Sequence, residues 1–314
     1  MGRPFGGIVI ETLIVDVRLG LMAFAVLVLA RTRNLFAVVV LSGIYSFLMA
    51  TILVALDAVD VAMTEAAVGA GVSTVLLLGA LHLCKSEEAR PAHRPWLPLL
   101  LSLATAGLLI YGAMGLPDFA DPNAPIHQHV APRYLQNEVD VPNVVTAVLA
   151  SFRGFDTLGE TVVVFTAGAG IIALLRRRKH KEKGREVIAM CDDLVLRVVG
   201  KLLIPFILLF ALYVQFHGDF GPGGGFQAGT IFAAGIVFYA IIFGLDRARR
   251  VVPDRLVETL LAAGVLLFIG VGVAGLLLGG NFLDYFVLDK DAIHGQHRGI
   301  FWVEAGVGIT VSGV

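Results

Sequence analysis

Long apolar runs broken by short polar stretches set the pattern of this chain. Runs at roughly 8–30, 34–56, 60–83, 95–116, 157–176, 196–216, 224–245, 255–279 and 299–314 each read as a helix that crosses a membrane. A hydrocarbon core takes roughly 20 apolar residues in a helix. The last run ends with the sequence at Val314 and is short for a bilayer, so an early stop is expected there. A shorter segment reads differently. Val144, Val145, Val148, Leu149 and Phe152 share one face at helical spacing. At about ten residues this segment cannot span at the helical rise of 1.5 Å per residue. It is expected to lie along the external interface or to pack on a neighbouring protein of a complex. The expected fold is an all-α polytopic membrane protein with about nine transmembrane helices and one short lateral amphipathic helix.

Composition supports that class. The chain is 57% hydrophobic and only 16% charged, well below the charge of a soluble domain. Its net charge of −1 hides a strong segregation. Alternating spans put Arg31 and Arg33, Lys85, Arg90 and Arg94, the basic run 176–185, and Arg247, Arg249, Arg250 and Arg255 on one side. The other side has only Arg3, Arg133, Arg153, Lys290 and Arg298. Positive charge marks the cytoplasmic side, which predicts a multi-pass protein of the inner (cytoplasmic) membrane with an external N-terminus. Glu11, Asp16 and Arg18 precede or enter the first run, and Arg31-Thr32-Arg33 follows it, so it does not read as a cleaved signal peptide. Cys84 and Cys191 both fall near cytoplasmic helix ends, where a structural disulfide is not expected. Two thiols do not hold a four-thiolate iron–sulfur cluster, and no cofactor is expected in this chain. Membrane lipid is an expected partner and nucleic acid is not.

The stretch that organises the rest is 204–245, two apolar runs joined through HGDFGPGGGFQAG at 217–229. Pro222 blocks helix propagation, and Gly223, Gly224 and Gly225 permit backbone angles closed to other residues. With Phe226 and Gly229 they form a structural motif of close backbone packing. It presents His217 and Asp219 at the membrane edge. The glycines lack the Lys-Ser/Thr of a P-loop and the preceding strand of a dinucleotide fold. The stretch HGDFGPGGGFQAGTIFAAG resembles the signature of the B-type component of Mrp-type multisubunit cation/proton antiporters and of the equivalent component in membrane-bound hydrogenases.

Carboxylates near apolar runs are the candidate chemistry. Asp60 sits at the start of the third run, and Glu65 lies five residues on, about 7.5 Å along the axis. A carboxylate inside a membrane serves transport or is held by a structural hydrogen bond, and both readings stand for these two. The surrounding DAVDVAMTEAAVGAGVSTVLLLGAL resembles a small domain in the C-terminal region of the large A-type Mrp component, with Val59 where the family has proline. Further on, Arg153, Asp156 and Glu160 form a compact charged set able to relay protons or to make a static ion pair. NVVTAVLASFRGFDTLGE resembles the partner small domain of the same A-type region. That resemblance implies a role in ion transfer for Glu160. Lys201 near the start of the sixth run snorkels or relays protons. Glu304 enters the ninth run, which resembles the last helix of the B-type component. The pairs His127/His129 and His294/His297 lack further ligands nearby in sequence and read as surface histidines.

The resemblances divide the chain into three units, 1–86 as a three-helix domain, 95–180 as a two-helix domain with an external loop and the lateral helix, and 187–314 as a four-helix domain like the B-type component. They imply an accessory membrane subunit of a sodium/proton antiporter, itself a transporter component and not an enzyme. Asp60, Glu65, Glu160, Arg153, Asp156, Lys201, His217 and Glu304 are its candidate ion or proton pathway residues. Implied partners are large pump-like A/D-type and small C/E/F/G-type subunits. The alternative is the ion-translocating module of a membrane-bound hydrogenase or another complex-I-related redox pump. A third reading is a scaffold with purely structural carboxylates.

Overall fold

The computed structural model describes residues 5–84, 87–88, 96–118, 121–136, 139–176 and 194–314. Apart from one isolated β-bridge between Asn34 and Glu87, the regular structure of those residues is helical. The basic stretch 177–185, the lead-in 187–193 with Cys191, and most of the linker 85–95 lie outside the described residues.

Helices α1 (Phe5–Arg31) and α2 (Leu35–Ala55) form a hairpin. The side chain of Asn34 caps α2 by accepting from the Ala37 N–H. Asp57 turns the chain with a positive φ of 60°, a conformation that Asp tolerates better than most residues. The third run starts as α3 (Val59–Glu65), widens into a π-helix (Ala66–Ser73) and ends as α4 (Thr74–Leu83). The Thr74 hydroxyl donates to the Gly69 carbonyl, the five-residue spacing of that wider helix. Next come α5 (Trp96–Ala113), the short α6 (Ala131–Leu135), α7 (Val144–Thr146) and α8 (Gly154–Arg176). The last unit holds α9 (Leu194–His217), α10 (Gly225–Phe243), the short α11 (Leu245–Val251), α12 (Asp254–Leu277) and α13 (Ala292–Gly313).

Eight helices among the described residues are long and apolar enough to cross a membrane, and they coincide with the first eight runs read from sequence. The ninth run lies within α13, a continuous helix interrupted by His294, His297, Arg298 and Glu304 and by five glycines. This helix packs against α8, α9, α10 and α12. Its burial against protein accounts for its lower apolar content, because lipid contact is what demands apolar side chains.

The main core gathers Phe268, Val271, Ile300, Val303, Val307 and Val311 from α12 and α13 around Tyr285. Val139, Val141, Ala147 and Ala150 join it from the segment 139–152. That segment leaves part of its apolar face outward, as a helix lying on an interface or on a neighbouring protein would. α7 continues as a π-helix (Ala147–Phe152), and the face turned inward carries Asn143, Thr146, Ala147 and Ala150. Val144 and Leu149 of the expected apolar face are exposed. Small residues bring the backbone close enough for Tyr285 to donate from its hydroxyl to the Ala150 carbonyl at 2.9 Å, and larger ones would hold it off.

The glycine stretch also divides differently from its expected role. α10 begins at Gly225, so Gly225, Phe226 and Gly229 are helical and the true break is Gly218–Gly224. Only Gly224 of the triplet takes a positive φ, 118°. Gly223 and Gly225 serve close approach instead. A methyl on Gly223 would meet the Val214 carbonyl, and one on Gly225 would collide with the Glu304 carbonyl of α13.

Gly225→Ala is expected to lower the stability of the detergent-solubilised chain by about 1–3 kcal/mol, the usual scale of overpacking. Gly170→Ala on α8 is the control, because nothing lies within 4 Å of a methyl placed there. Thermal unfolding of the two variants side by side checks the difference.

Candidate functional site

The break Gly218–Gly224 cannot satisfy its own peptide groups as a helix would, and the other units supply the partners. Asn143 does most of this. Its amide nitrogen lies 2.9 Å from the Gly221 carbonyl, 3.1 Å from the Gly218 carbonyl and 3.0 Å from Asp60 Oδ1. Its backbone N–H donates to the Asp219 carbonyl at 3.0 Å. The Thr146 hydroxyl adds a second donor to Gly218, at 2.7 Å. Asp60 is 8% exposed. Its Oδ1 also accepts from the Gly223 N–H at 3.3 Å, and its carbonyl accepts from Gln227 Nε2 at 3.3 Å. One amide and one carboxylate thus join α3, the segment before α7, and the loop between α9 and α10.

Beside this junction is a cavity of about 270 Å³. Asp60 and Thr64 line it from α3, Glu160 and Thr161 from α8, Gln227 from α10 and Glu304 from α13, with Gly223 and Gly224 along its edge. Glu304 directs its two carboxylate oxygens at Gly218 and Gly224, beneath the loop. Glu160 is exposed. Among the described residues, no Lys, Arg or His lines the cavity. Three carboxylates from three helices therefore face one volume without a cationic side chain among them. Such a volume is suited to a hydrated cation or to protons, since hard cations take oxygen ligands and carboxylates exchange protons.

The structure brings Asp60, Glu160 and Glu304 together and leaves the other sequence candidates elsewhere. Glu65 turns toward α2, where its Oε1 and the Ser46 hydroxyl both lie against Gly69. Arg153 and Asp156 pair with each other at 2.5 Å, both more than half exposed, and neither lines the cavity. Lys201 is exposed on α9. His217 ends α9 with its ring stacked on Tyr213 at 5.0 Å between centroids. His294 meets Asp291 and His297 meets Asp219, at 2.9 and 3.3 Å. Among the described residues no group of three or more His, Cys, Asp and Glu is placed to hold a metal ion.

Several residues that matter here were not singled out by sequence reasoning. Asn143 carried a legible signal, because Asn directly before a helix is a favoured N-cap, and its Oδ1 does accept from the Val145 N–H at 3.0 Å. Gln227, Gln296 and Tyr285 carried none. Gln296 is 2% exposed and accepts from the Ser151 hydroxyl at 2.8 Å, a second tie between the segment 139–152 and α13. Burial of Tyr285 raises the pKa of its phenol above the usual value.

The unfolded chain therefore ionises Tyr285 above about pH 10 while the folded chain keeps it neutral. The unfolded state then binds fewer protons than the native state, so stability falls as pH rises past that point. Tyr285→Phe is expected to flatten this alkaline loss while costing about 0.5–1.5 kcal/mol at neutral pH for the lost hydrogen bond. Thermal melts of both proteins across pH 8–11 measure the two effects.

Comparison with known families matches three successive stretches of the chain. The family described as a domain related to the MnhB subunit of Na+/H+ antiporter matches residues 195–314. Those described as the MbhD and MbhE components of MBH match residues 20–86 and 106–190. A probable K+/H+ antiporter protein of A/B type from Rhizobium meliloti is 28% identical over 259 residues, 73% of this chain and 26% of that protein. Among solved structures, the Mrp complex from a Dietzia species matches with a TM-score of 0.68 at 26% identity, covering 94% of this chain and 34% of that one. The archaeal membrane-bound sulfane sulfur reductase matches with a TM-score of 0.52 at 28% identity, covering 70% of this chain and 95% of its own. The chain thus spans about a quarter of the Rhizobium protein and a third of the Mrp chain. A putative antiporter subunit mnhB2 of Staphylococcus aureus is 30% identical over 95 residues, 30% of this chain and 67% of that protein. With that coverage and the match at 195–314, the chain is a multi-pass membrane protein that belongs to the MnhB-related family of antiporter subunits.

Proposed function

We propose that this chain is an accessory membrane subunit of a multisubunit monovalent cation/proton antiporter, and that its acidic cavity is a segment of the cation or proton path. The observation that carries this reading is the convergence of Asp60, Glu160 and Glu304 from three helices on one cavity beside the glycine loop. A proton entering there, or a sodium ion that keeps its water shell, relieves the mutual repulsion of the carboxylates, and Thr64, Thr161 and Gln227 line the same volume with polar groups. Glu65, Arg153, Asp156, Lys201 and His217 lie outside the cavity, and any part they take is at its approaches.

Three units make up the chain in this reading, 1–86, 95–180 and 187–314. The last two meet the first at Asn143 and Asp60. The partners are large pump-like subunits of A and D type and small ones of C, E, F and G type, and this chain carries no cofactor of its own. It sits in the inner (cytoplasmic) membrane with an external N-terminus, as its Lys and Arg distribution favours. A second reading has a specific observation behind it. The likeness to the sulfane sulfur reductase complex covers 95% of that complex's matched chain and supports an ion-translocating module coupled to a redox enzyme.

Sodium-dependent proton flux in everted vesicles tests the path. Asp60→Asn and Glu160→Gln are each expected to reduce flux on the order of a hundredfold, the scale for losing a proton-transferring side chain. Glu65→Gln is expected to reduce it far less. Full flux in an assembled complex carrying the first two variants would leave only the scaffold reading. Co-purification of iron–sulfur or nickel proteins in stoichiometric amount would shift the coupling from antiport to redox.

A further inference from the structure

Asn143 uses every polar group it owns while only 8% exposed. Its Oδ1 accepts from the Val145 N–H, its backbone N–H serves Asp219, and its two amide hydrogens face Asp60, Gly218 and Gly221. This fixes which way the amide points. A flipped amide would set its NH₂ against the Val145 N–H and its oxygen against three acceptors. Two hydrogens shared among three acceptors also means that the strongest acceptor controls the sharing. Asp60 is the charged one, and hydrogen bonds to a carboxylate are about twice as strong as neutral ones.

The surroundings of Asp60 sharpen the point. Glu304 faces the loop from α13, Glu160 lines the same cavity from α8, and Asp219 sits in the loop with His297 of α13 at 3.3 Å. Gln227 approaches from α10 and spends its amide on the Asp60 carbonyl. Among the described residues the donors that reach the Asp60 carboxylate are Asn143 Nδ2 and the Gly223 N–H, and both bond the same oxygen, Oδ1.

We propose that Asn143 is a positioning residue: it holds the Asp60 carboxylate to the glycine loop by one oxygen and couples the charge on Asp60 to the seating of that loop. When Asp60 is ionised, Asn143 is drawn to it, and the loop is clamped between them. When Asp60 takes up a proton its pull weakens, and the Asn143 amide shifts toward the Gly218 and Gly221 carbonyls. Proton arrival is thereby transmitted to the α9–α10 break without any charge moving through Asn143. This rests on the reading of the cavity as a cation or proton path.

The test uses the whole chain in its isolated complex and reads protonation rather than transport. Infrared difference spectra across a pH titration show carboxyl bands, and Asp60→Asn identifies the one from Asp60. Asn143→Ser keeps a helix-capping hydroxyl but is too short to reach Asp60. It is expected to raise the midpoint of the Asp60 band by about one pH unit, a tenfold gain in proton affinity. An unmoved midpoint would overturn the proposal even if Asp60→Asn abolishes transport. A moved midpoint with unaffected transport would spare it and sink the path. Should Asn143→Ser fail to assemble, an exchange decides. Asn143→Asp alone sets two carboxylates face to face and is expected to fail, and adding Asp60→Asn restores a donor and an acceptor across the same contact. Gly218 keeps the Thr146 hydroxyl throughout. Recovery of the assembled complex in the double variant supports the assignment, and no recovery rejects it.

Discussion

Peptide groups removed from water must find partners inside the protein. In this chain that demand is concentrated where α9 stops and α10 begins. The loop satisfies part of it locally, with the Phe220 and Gly221 N–H groups on the His217 carbonyl and the Gly224 N–H on Val214. The carbonyls of Gly218, Asp219 and Gly221 are answered from elsewhere, by Asn143 and Thr146. The placement of the segment 139–152, of α3 and of the cavity follows from that arrangement. A break that closed on itself would have left Asp60 without the Gly223 donor, and α3 without a polar tie to the loop.

The same arrangement explains why a carboxylate is retained at a buried position. A charge in a place of low dielectric is costly unless it is hydrogen-bonded or paired. Among the described residues the Asp60 carboxylate has neutral donors and no cation at hydrogen-bond distance. Arg153 and Asp156 show the opposite case. Each neutralises the other on an exposed surface, where such pairs contribute little to stability.

Much of this architecture was legible in the sequence, and the limits have physical causes. Apolar runs of bilayer length are a strong one-dimensional signal, and eight of them became helices with nearly the expected bounds. Asp60, Glu160 and Glu304 were recognisable as candidates because charge is rare in such runs. Their meeting in one cavity was not, since it depends on how α3, α8 and α13 pack. The inward face of the segment 143–152 was not legible for a related reason, since close approach to α13 and Tyr285 selected the side with Thr146, Ala147 and Ala150. Glu65 lies apart from that cavity, because depth along a helix can be counted from sequence, whereas the direction of a side chain around it depends on neighbours, here α2 with Ser46.

One helix stands apart from these arrangements. Every residue of α5 is exposed, from Trp96 to Ala113. Its insertion draws on transfer into lipid and not on contacts within the described chain, so its tilt and rotation are free to be set by whatever lies beside it. The protein therefore has two kinds of edge. One, around α13, is closed by its own helices. The other is α5, which leaves its whole surface to lipid and to whatever neighbours surround the chain.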